Sequence, residues 1–168
     1  MAGTVKWYAL YTRPRWEKKV DRLLREGGFE CYCPLNKVTR KWSDRLKVVE
    51  EPLFKSYVFV RIREKERTAV RMTTGVVNFV YWDGKPAVIK EREIKKIRDF
   101  LGEYDNVSVA QIPDLKLKQR VKVISGPLMD MEGEVISLKR KTVQVAIDSL
   151  GYILIAFFER KKLTSVRQ

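Results

Sequence analysis

Basic side chains on one predicted helix near the N-terminus are the residues best suited to bind a ligand. In RWEKKVDRLLREGG, residues 15–28, the spacing of Lys18, Arg22 and Arg25 places them along one side of the helix. Three further cations extend this basic surface: Arg13, Arg15 and Lys19. Lysine and arginine bind mainly phosphate, with an affinity that falls steeply as the salt concentration rises. The pattern therefore predicts a phosphate-binding surface.

A second candidate surface is the strand LFKSYVFVRI, residues 53–62. Side chains alternate between the two faces of a strand, so this sequence separates a small or aliphatic face from an aromatic one. The charged residues Lys55 and Arg61 share the aromatic face, which predicts that Tyr57 and Phe59 point outward. Exposed aromatic rings are typical of protein interfaces, where they contribute much of the binding energy.

Catalytic and metal-binding chemistry has little support in the sequence. The chain has no histidine, which excludes Ser-His-Asp and Cys-His nucleophiles and histidine-containing zinc sites. Cys31 and Cys33 are too few to complete a tetrahedral metal site, and we expect both to be buried small residues. No phosphate-binding glycine loop or pair of catalytic carboxylates occurs. The sequence predicts a protein without catalytic activity, metal or cofactor.

Alternating strands and helices are predicted to position the two surfaces within residues 1–102. The order is strand, helix, strand, polar ribbon, strand, helix, strand, helix. The ribbon, residues 36–52, turns at Ser43–Asp44. The basic helix has an apolar stripe opposite its charges: Trp16, Val20, Leu23 and Leu24. This order predicts an α+β domain, with one mostly antiparallel sheet and helices on one face.

The C-terminal part of the chain has a different texture. Residues 103–114 are polar and are predicted to form a linker. Residues 115–168 contain five short segments rich in valine and isoleucine: VKVIS, GEVISL, TVQVAI, YILIAFF and KLTSV. Short strands of this kind predict a small closed barrel, because closure removes unpaired strand edges. The abundance of β-branched residues favours a barrel over a helical hairpin.

The charge of the chain is concentrated in its first part. The chain has 35 basic and 21 acidic residues, a net charge of +14. Residues 1–102 hold 24 basic and 13 acidic residues, a net +11, and residues 103–168 hold 11 and 8, a net +3. Such a distribution suits a protein that works beside a polyanion, and equally a well-solvated surface. The chain lacks both a membrane-length apolar run and a signal peptide, which predicts a cytoplasmic protein.

Four stretches in this order carry a family resemblance over essentially the whole chain. WYALYTRPRWEKKVDRLL, PLFKSYVFVRI and GVVNFVYWDGKPAVI resemble the NGN domain of the NusG family of transcription elongation factors. VKVISGPLMDMEGEV resembles the loop of the family's SH3-like KOW barrel. The loop residues are Gly126, Leu128, Met131 and Gly133. WSDR and VVEEPLFKSYVFV look closer to RfaH and the polysaccharide-operon paralogs than to general NusG.

The resemblance implies a binding site for each of several partners. An apolar patch of the NGN domain binds the clamp helices of the largest RNA polymerase subunit, and it maps onto Tyr11, Tyr57, Phe59, Trp82 and Ile94. Thr68 falls where RfaH-like proteins contact the polymerase gate loop. The residues that match the surface facing non-template DNA are Arg13, Arg15, Lys18, Lys19 and Arg22. The implied mechanism is a bridge across the cleft that disfavours clamp opening and suppresses pausing or termination, at particular operons.

Two departures from the family pattern affect these expectations. Lys55–Ser56 stands where the family often has Pro-Gly or Pro-Asn. The KOW loop has Leu128 and Met131 where general NusG tends to carry phenylalanine, which weakens the inference that Rho or a ribosomal protein docks there. The protein is expected to act as a monomer and to bind no membrane.

Several alternatives remain open at the level of the sequence. RfaH masks its polymerase-binding patch with its own C-terminal domain, so the barrel or the ribbon could cover the patch here. Trp16 is either a core residue or a platform on which a base stacks. The ribbon cations either extend the DNA contact or belong to a solvated hairpin: Arg40, Lys41, Arg45 and Lys47. The alternative function is a free-standing RNA-binding protein that acts through the KOW barrel, although the net charge of residues 103–168 argues against it.

Overall fold

The computed structural model describes residues 3–111, 120–125, 132–134, 142–147 and 150–157. The chain divides into two compact units, one formed by Met1–Pro34 with Phe54–Ile94 and the other by Leu35–Leu53 with Lys95–Gln168. The polar ribbon therefore groups with the C-terminal strands. The expected domain boundaries, at residues 102 and 115, remain a prediction.

The described elements agree in type with most of the sequence-based expectations. The helices are α1 (Glu17–Glu26), α2 (Arg67–Arg71), which follows a short 3-10 helix (Glu64–Glu66), and α3 (Glu91–Glu103). The strands are β1 (Lys6–Thr12), β2 (Glu30–Tyr32), β3 (Leu35–Trp42), β4 (Arg45–Pro52), β5 (Tyr57–Ile62), β6 (Val76–Phe79), β7 (Tyr81–Trp82), β8 (Lys85–Pro86), β9 (Val88–Ile89), β10 (Ser108–Gln111), β11 (Arg120–Ser125), β12 (Glu132–Glu134), β13 (Thr142–Ile147) and β14 (Tyr152–Phe157).

The first unit is built on a five-stranded sheet in the order β2-β5-β1-β6, with β9 also paired to β1. Every pairing in this sheet is antiparallel, which confirms the predicted mixture of helices with an antiparallel sheet. The face that contains Leu10, Val58 and Val60 is fully buried, as the aliphatic side of LFKSYVFVRI predicts. Burial of these β-branched and aliphatic side chains removes apolar surface from water and stabilises the unit.

Helices touch both faces of this sheet rather than one. On the aliphatic face, the thiol of Cys31 contacts the backbone oxygen of Asp21 in α1 at 3.2 Å. On the opposite face, the indole N–H of Trp7 donates a hydrogen bond to Glu91, the first residue of α3. The expectation that all helices share one face is therefore wrong, because α3 begins against the face that carries Trp7.

Both cysteines are buried thiols, as expected, and they form no disulfide. Burial raises the pKa of Cys31 to about 12 and that of Cys33 to about 12, because a thiolate would lose its hydration there. A thiol with such a pKa stays protonated near neutral pH and is a poor nucleophile.

The second unit contains a five-stranded antiparallel sheet in the order β12-β11-β10-β14-β13. Strand β10 lies inside the segment predicted as a linker, so the expectation of an unstructured linker is wrong for Ser108–Gln111. Val109 and Ala110 are fully buried, which explains why this short segment joins the sheet. The predicted strand KLTSV lies outside the described residues, and closure into a barrel remains a prediction.

The polar ribbon forms as predicted and is attached to β10. Strands β3 and β4 pair antiparallel from Leu35–Pro52 at the base to Trp42–Arg45 at the tip. The side-chain amide of Asn36 donates to the Val107 carbonyl at 2.8 Å, and its oxygen accepts from the Val107 amide at 3.0 Å. These two bonds satisfy the backbone of Val107, which is buried.

Candidate functional site

The aromatic face of the first sheet is open at one end only. The strand register pairs Tyr11 with Tyr57 and Ala9 with Phe59, so all four side chains share that face. Tyr11 is 40% exposed and Tyr57 is half-buried, whereas Phe59 is 0% exposed. The surface available to a partner therefore lies at the Tyr11–Tyr57 end of the two strands.

The prediction that Phe59 points into solvent is wrong, and its premises explain why. Lys55 lies in the turn before β5, where Ser56 has a φ of 65°. The charge of Lys55 therefore does not indicate which face of the strand is exposed. Arg61 does lie on the aromatic face, but it pairs with Glu30 of the neighbouring strand at 3.2 Å. Alternation assigns side chains to faces, and it does not tell whether an element covers a face.

Ile94 is also buried rather than exposed. It belongs to the apolar stripe of α3 together with Ile97 and Phe100, which are buried as well. Two of the five residues assigned to the apolar patch, Phe59 and Ile94, are therefore interior residues in this structure.

The exposed rings are organised by contacts among aromatic side chains. Tyr11 and Tyr57 pack edge to face, with their ring centroids 5.1 Å apart. Phe54 continues the row, 6.4 Å from Tyr57 and 5.7 Å from the buried Phe59. We call these four residues the aromatic row. Edge-to-face pairs favour one mutual orientation of the rings, so the buried Phe59 anchors a row whose outer end is Tyr11 and Tyr57.

Other predicted contact residues lie on separate elements of the first unit. Trp82 is 57% exposed on the β7–β8 hairpin, beside Tyr81, which is also exposed and was not among the predicted residues. Thr68 is exposed in α2. The sequence does contain the signal for Tyr81, because YW precedes the Asp83–Gly84 turn, and Asp83 adopts a positive φ there.

The predicted basic surface is present on α1 and the turn before it. All five of its assigned cations are exposed: Arg13, Arg15, Lys18, Lys19 and Arg22. The helix begins at Glu17, two residues later than predicted, because Arg15 adopts a left-handed conformation with φ 68°. Arg22 and Glu26 form an exposed ion pair at 3.8 Å, which contributes little to stability.

Trp16 has the packing role of a core residue, and its part as a platform for a base remains a prediction. Its ring packs against Gly75 so closely that a Cβ at residue 75 would lie 2.5 Å from Trp16 Cε3. The same ring is contacted by cations, with Lys19 Nζ 4.3 Å and the Arg13 guanidinium carbon 5.6 Å from its centroid. Trp16 therefore docks α1 onto the Gly75 turn and orients two cations of the basic surface.

A buried carboxylate joins the basic helix to the aromatic row. Glu17 is buried, and its carboxylate accepts a hydrogen bond of 2.6 Å from the backbone N–H of Ser56. The Ser56 carbonyl in turn accepts from the Thr12 amide at 2.9 Å, next to Tyr11. The turn that starts β5 is thus held by both β1 and α1. Sequence reasoning missed Glu17, because a glutamate in the first turn of a helix usually faces solvent.

The KOW-loop residues fall mostly outside the structure's description. Gly126, Leu128 and Met131 lie outside the described residues, and Gly133 lies in β12 opposite Val121 of β11. Within the described part of the chain, no group of three or more metal-ligating side chains occurs. No described helix combines the length and apolar character needed to cross a membrane.

Comparisons with known proteins place the chain in a family. A family model described as "Transcription termination factor nusG" matches residues 5–98. The transcription termination/antitermination protein NusG of Borreliella burgdorferi is 26% identical over 165 residues, covering 86% of this chain and 90% of that protein. The protein of the same name from Bacillus subtilis is 28% identical over 161 residues, covering 86% of this chain and 89% of its own length.

A solved structure titled "Domain interaction in Thermotoga maritima NusG" is 26% identical and aligns over 93% of this chain and 98% of that chain, with a TM-score of 0.44. The sequence matches define the class, which is that of transcription termination and antitermination factors. Because the family model covers more than half of the residues, the chain belongs to the NusG family and is a transcription elongation and antitermination factor.

Proposed function

We propose that the protein binds RNA polymerase through the open end of its first sheet, contacts non-template DNA through α1, and suppresses pausing or termination at particular operons. The observation that carries the proposal is the Tyr11–Tyr57 pair, which leaves aromatic surface exposed on a sheet face where the rings of Trp7 and Phe59 are buried. Membership in a family of transcription factors supports the choice of partner.

The clamp helices of the largest polymerase subunit are the proposed partner of this surface. Tyr11 and Trp82 supply exposed rings and Tyr57 a half-buried one, and aromatic rings are frequent hot spots of protein interfaces. Phe59 and Ile94 are buried, so in this conformation they do not contact the partner directly, which differs from what the family resemblance implies. Phe59 supports the surface from within, through its packing against Phe54.

Non-template DNA is the proposed partner of the basic surface on α1. It has five exposed cations that can contact phosphates. For a single strand, a plot of the logarithm of affinity against the logarithm of salt concentration falls with a slope of about 0.7 for each phosphate that is neutralised. Replacing Arg15 and Lys19 with glutamine should therefore flatten the salt dependence of single-stranded DNA binding by about 1.4. An unchanged slope in this double variant would contradict the assignment.

The proposed mechanism requires no chemistry on the nucleic acid. The protein is proposed to hold the clamp with one surface and to contact the gate loop through a second surface around Thr68. A protein bound to both sides binds the closed cleft more tightly than the open one. Differential affinity for the closed state shifts polymerase toward it and so opposes pausing. The Glu17–Ser56 hydrogen bond supports such a role, because it fixes the DNA-binding helix relative to the aromatic row.

Specialisation and further partners complete the proposal. WSDR at the ribbon tip and VVEEPLFKSYVFV support a member closer to RfaH than to general NusG. The KOW domain, predicted as a barrel, is a candidate site for Rho or the ribosome, although Leu128 and Met131 depart from the pattern of general NusG. The protein is proposed to act in the cytoplasm as a monomer, without enzymatic activity.

A transcription assay on templates with defined pause sites tests the function. With purified core polymerase, the wild-type protein should shorten the pauses, and Tyr57→Asp should abolish the effect because a carboxylate replaces an interface ring. Leu46→Asp is the control for introducing a carboxylate at an apolar surface residue, because Leu46 is exposed but belongs to the ribbon of the second unit. Pauses that are unchanged or lengthened by the wild-type protein would contradict the proposed function.

A further inference from the structure

The ribbon of β3 and β4 has a tip that packing within the protein does not explain. At its base, Asn36 and Val38 are buried, and Asn36 and Asn106 bond to neighbouring backbone. From Thr39 to Val48 every residue is exposed. Anchoring at the base fixes the direction of the ribbon and leaves its outer half available to a partner.

The two faces of the tip differ in chemistry. Directly paired residues share a face, so Trp42 and Arg45 lie on the same face as Arg40 and Lys47, which are two pairs further in. Lys41 and Leu46 form the pair between them and lie on the opposite face. One face of the tip is therefore aromatic and basic, and the other includes exposed aliphatic side chains.

Trp42 is the central residue of the aromatic and basic face. It is 50% exposed, and Lys47 Nζ lies 4.3 Å from its ring centroid. A cation over one side of the indole raises the local positive charge and holds the ring in place. The exposed half of the side chain remains available for stacking, which is the property of an aromatic platform for an unpaired base.

The cations around Trp42 are not all equivalent. Arg40 forms a two-point ion pair with Glu51, at 2.9 and 2.7 Å, and this hydrogen bonding raises its pKa. Arg40 is therefore already neutralised within the ribbon. The cations left to face a ligand on the Trp42 side of the tip are Arg45 and Lys47. Asp44 is the only acidic residue among positions 37–48.

A solvated hairpin accounts for the charges but not for the tryptophan. Lysine and arginine on a ribbon edge discourage pairing with other chains, which is a sufficient reason for cations there. A half-exposed indole at the tip has no such role. A basic protein partner would be repelled by the tip, and duplex nucleic acid presents no unstacked base to Trp42.

We propose that the ribbon tip is a binding site for single-stranded nucleic acid, in which an unpaired base stacks on Trp42 while phosphates contact Arg45 and Lys47. Stacking on an aromatic ring combined with a surrounding positive surface is the common mode of single-strand recognition. The site goes beyond the proposed function, because it belongs to the second unit and involves neither α1 nor the aromatic row.

Binding of fluorescent 12-nucleotide oligomers to the full chain, without polymerase, tests the site. The measurement uses a background in which Lys18, Lys19 and Arg22 are replaced by glutamine, so that α1 contributes little. Oligo(dT) and oligo(U) distinguish a DNA strand from an RNA strand, and a 12-base-pair duplex controls for non-specific charge. In this background, Trp42→Ala should weaken binding of at least one single strand about tenfold or more.

Two matched variants separate stacking from charge and from folding. Leu46→Ala changes the opposite face of the tip and should leave affinity unchanged. The double replacement of Arg45 and Lys47 by glutamine should flatten the salt dependence of single-strand binding by about 1.4. Trp42→Ala should leave duplex binding unchanged.

The proposal would be overturned if the variant with Lys18, Lys19 and Arg22 replaced by glutamine bound no single strand. It would also be overturned if Trp42→Ala left the single-strand affinity of that variant unchanged. Neither result would bear on polymerase binding or on pausing, because those assays use Tyr57 variants and core polymerase. Failure of the ribbon site is therefore distinguishable from failure of the proposed function.

Discussion

Gly75 provides the sharpest test of how α1 is attached to the first unit. Its φ of 93° lies in the left-handed region, where a Cβ costs about 1–2 kcal/mol. Its Cα faces Trp16 and Val20, and an added Cβ would meet Trp16 Cε3 at 2.5 Å and Val20 Cγ2 at 2.8 Å. Overpacking of this kind costs about 1–3 kcal/mol.

Gly75→Ala should therefore lower the free energy of unfolding by about 2–5 kcal/mol. Gly84→Ala is the matched control, because Gly84 has a similar φ of 76° but nothing within 4 Å of an added Cβ. It should lose only the backbone part, about 1–2 kcal/mol. Urea unfolding followed by circular dichroism measures both variants on one scale.

A double-mutant cycle identifies the source of the extra cost. When Trp16→Ala is introduced first, Gly75→Ala should cost less than in the wild-type protein, because the ring that the Cβ would meet is gone. If Gly75→Ala and Gly84→Ala destabilise the protein equally, the close packing of Trp16 on Gly75 does not hold. The account of how α1 is docked would then be refuted.

Three further predictions concern buried groups. Glu17→Ala should lower the free energy of unfolding by about 1–3 kcal/mol in urea, because it leaves a backbone N–H without its acceptor; no change would contradict the 2.6 Å bond. Cys31 and Cys33 should resist a thiol reagent at pH 8 until the protein unfolds. Rapid labelling of the folded protein would contradict their burial. Because the pKa of each thiol is raised to about 12 in the folded protein, the free energy of unfolding should be unaffected by thiol ionisation below about pH 9 and should fall as pH rises from about 9 toward 12. Phe59→Ala should cost about 3–5 kcal/mol and Tyr57→Ala much less, since only Phe59 is fully buried; equal costs would contradict the assigned orientation.

Periodicity and turn residues predicted most elements within residues 1–102. The apolar stripe of α1, the alternation in β5 and the Ser43–Asp44 turn of the ribbon all depend on neighbours close in sequence. Ser43 adopts a positive φ, as a tight hairpin turn requires. Local patterns of this kind can be recognised in a single sequence, because they do not depend on packing between residues that are far apart in the chain.

The errors have a common physical origin in contacts between distant residues. Phe59 and Ile94 were assigned to an exposed patch, but the burial of a side chain depends on residues that are distant in the sequence, as Glu91 bonds to Trp7 across 84 positions. Strand β10 was missed because its four residues gain burial only through pairing with β11 and β14. No local pattern encodes such partners.

The candidate site was predictable in part for the same reason. The five cations on α1 and the turn before it are exposed, and helical spacing predicts this for the three on the helix, Lys18, Lys19 and Arg22. The links that join this helix to the aromatic row were not predictable, because Glu17 reaches Ser56 across 39 positions. The sequence therefore identifies the surfaces, and the structure supplies the bonds that hold them together.

The affinity of the purified protein for core RNA polymerase tests the central claim most directly. Tyr11→Ala and Tyr57→Ala, measured against wild type and against Leu46→Ala, should each weaken binding by about tenfold or more, because hot-spot rings contribute at least 1–2 kcal/mol apiece. Leu46→Ala should bind as the wild type does. Wild-type affinity in both tyrosine variants would contradict the claim that the open end of the first sheet binds polymerase.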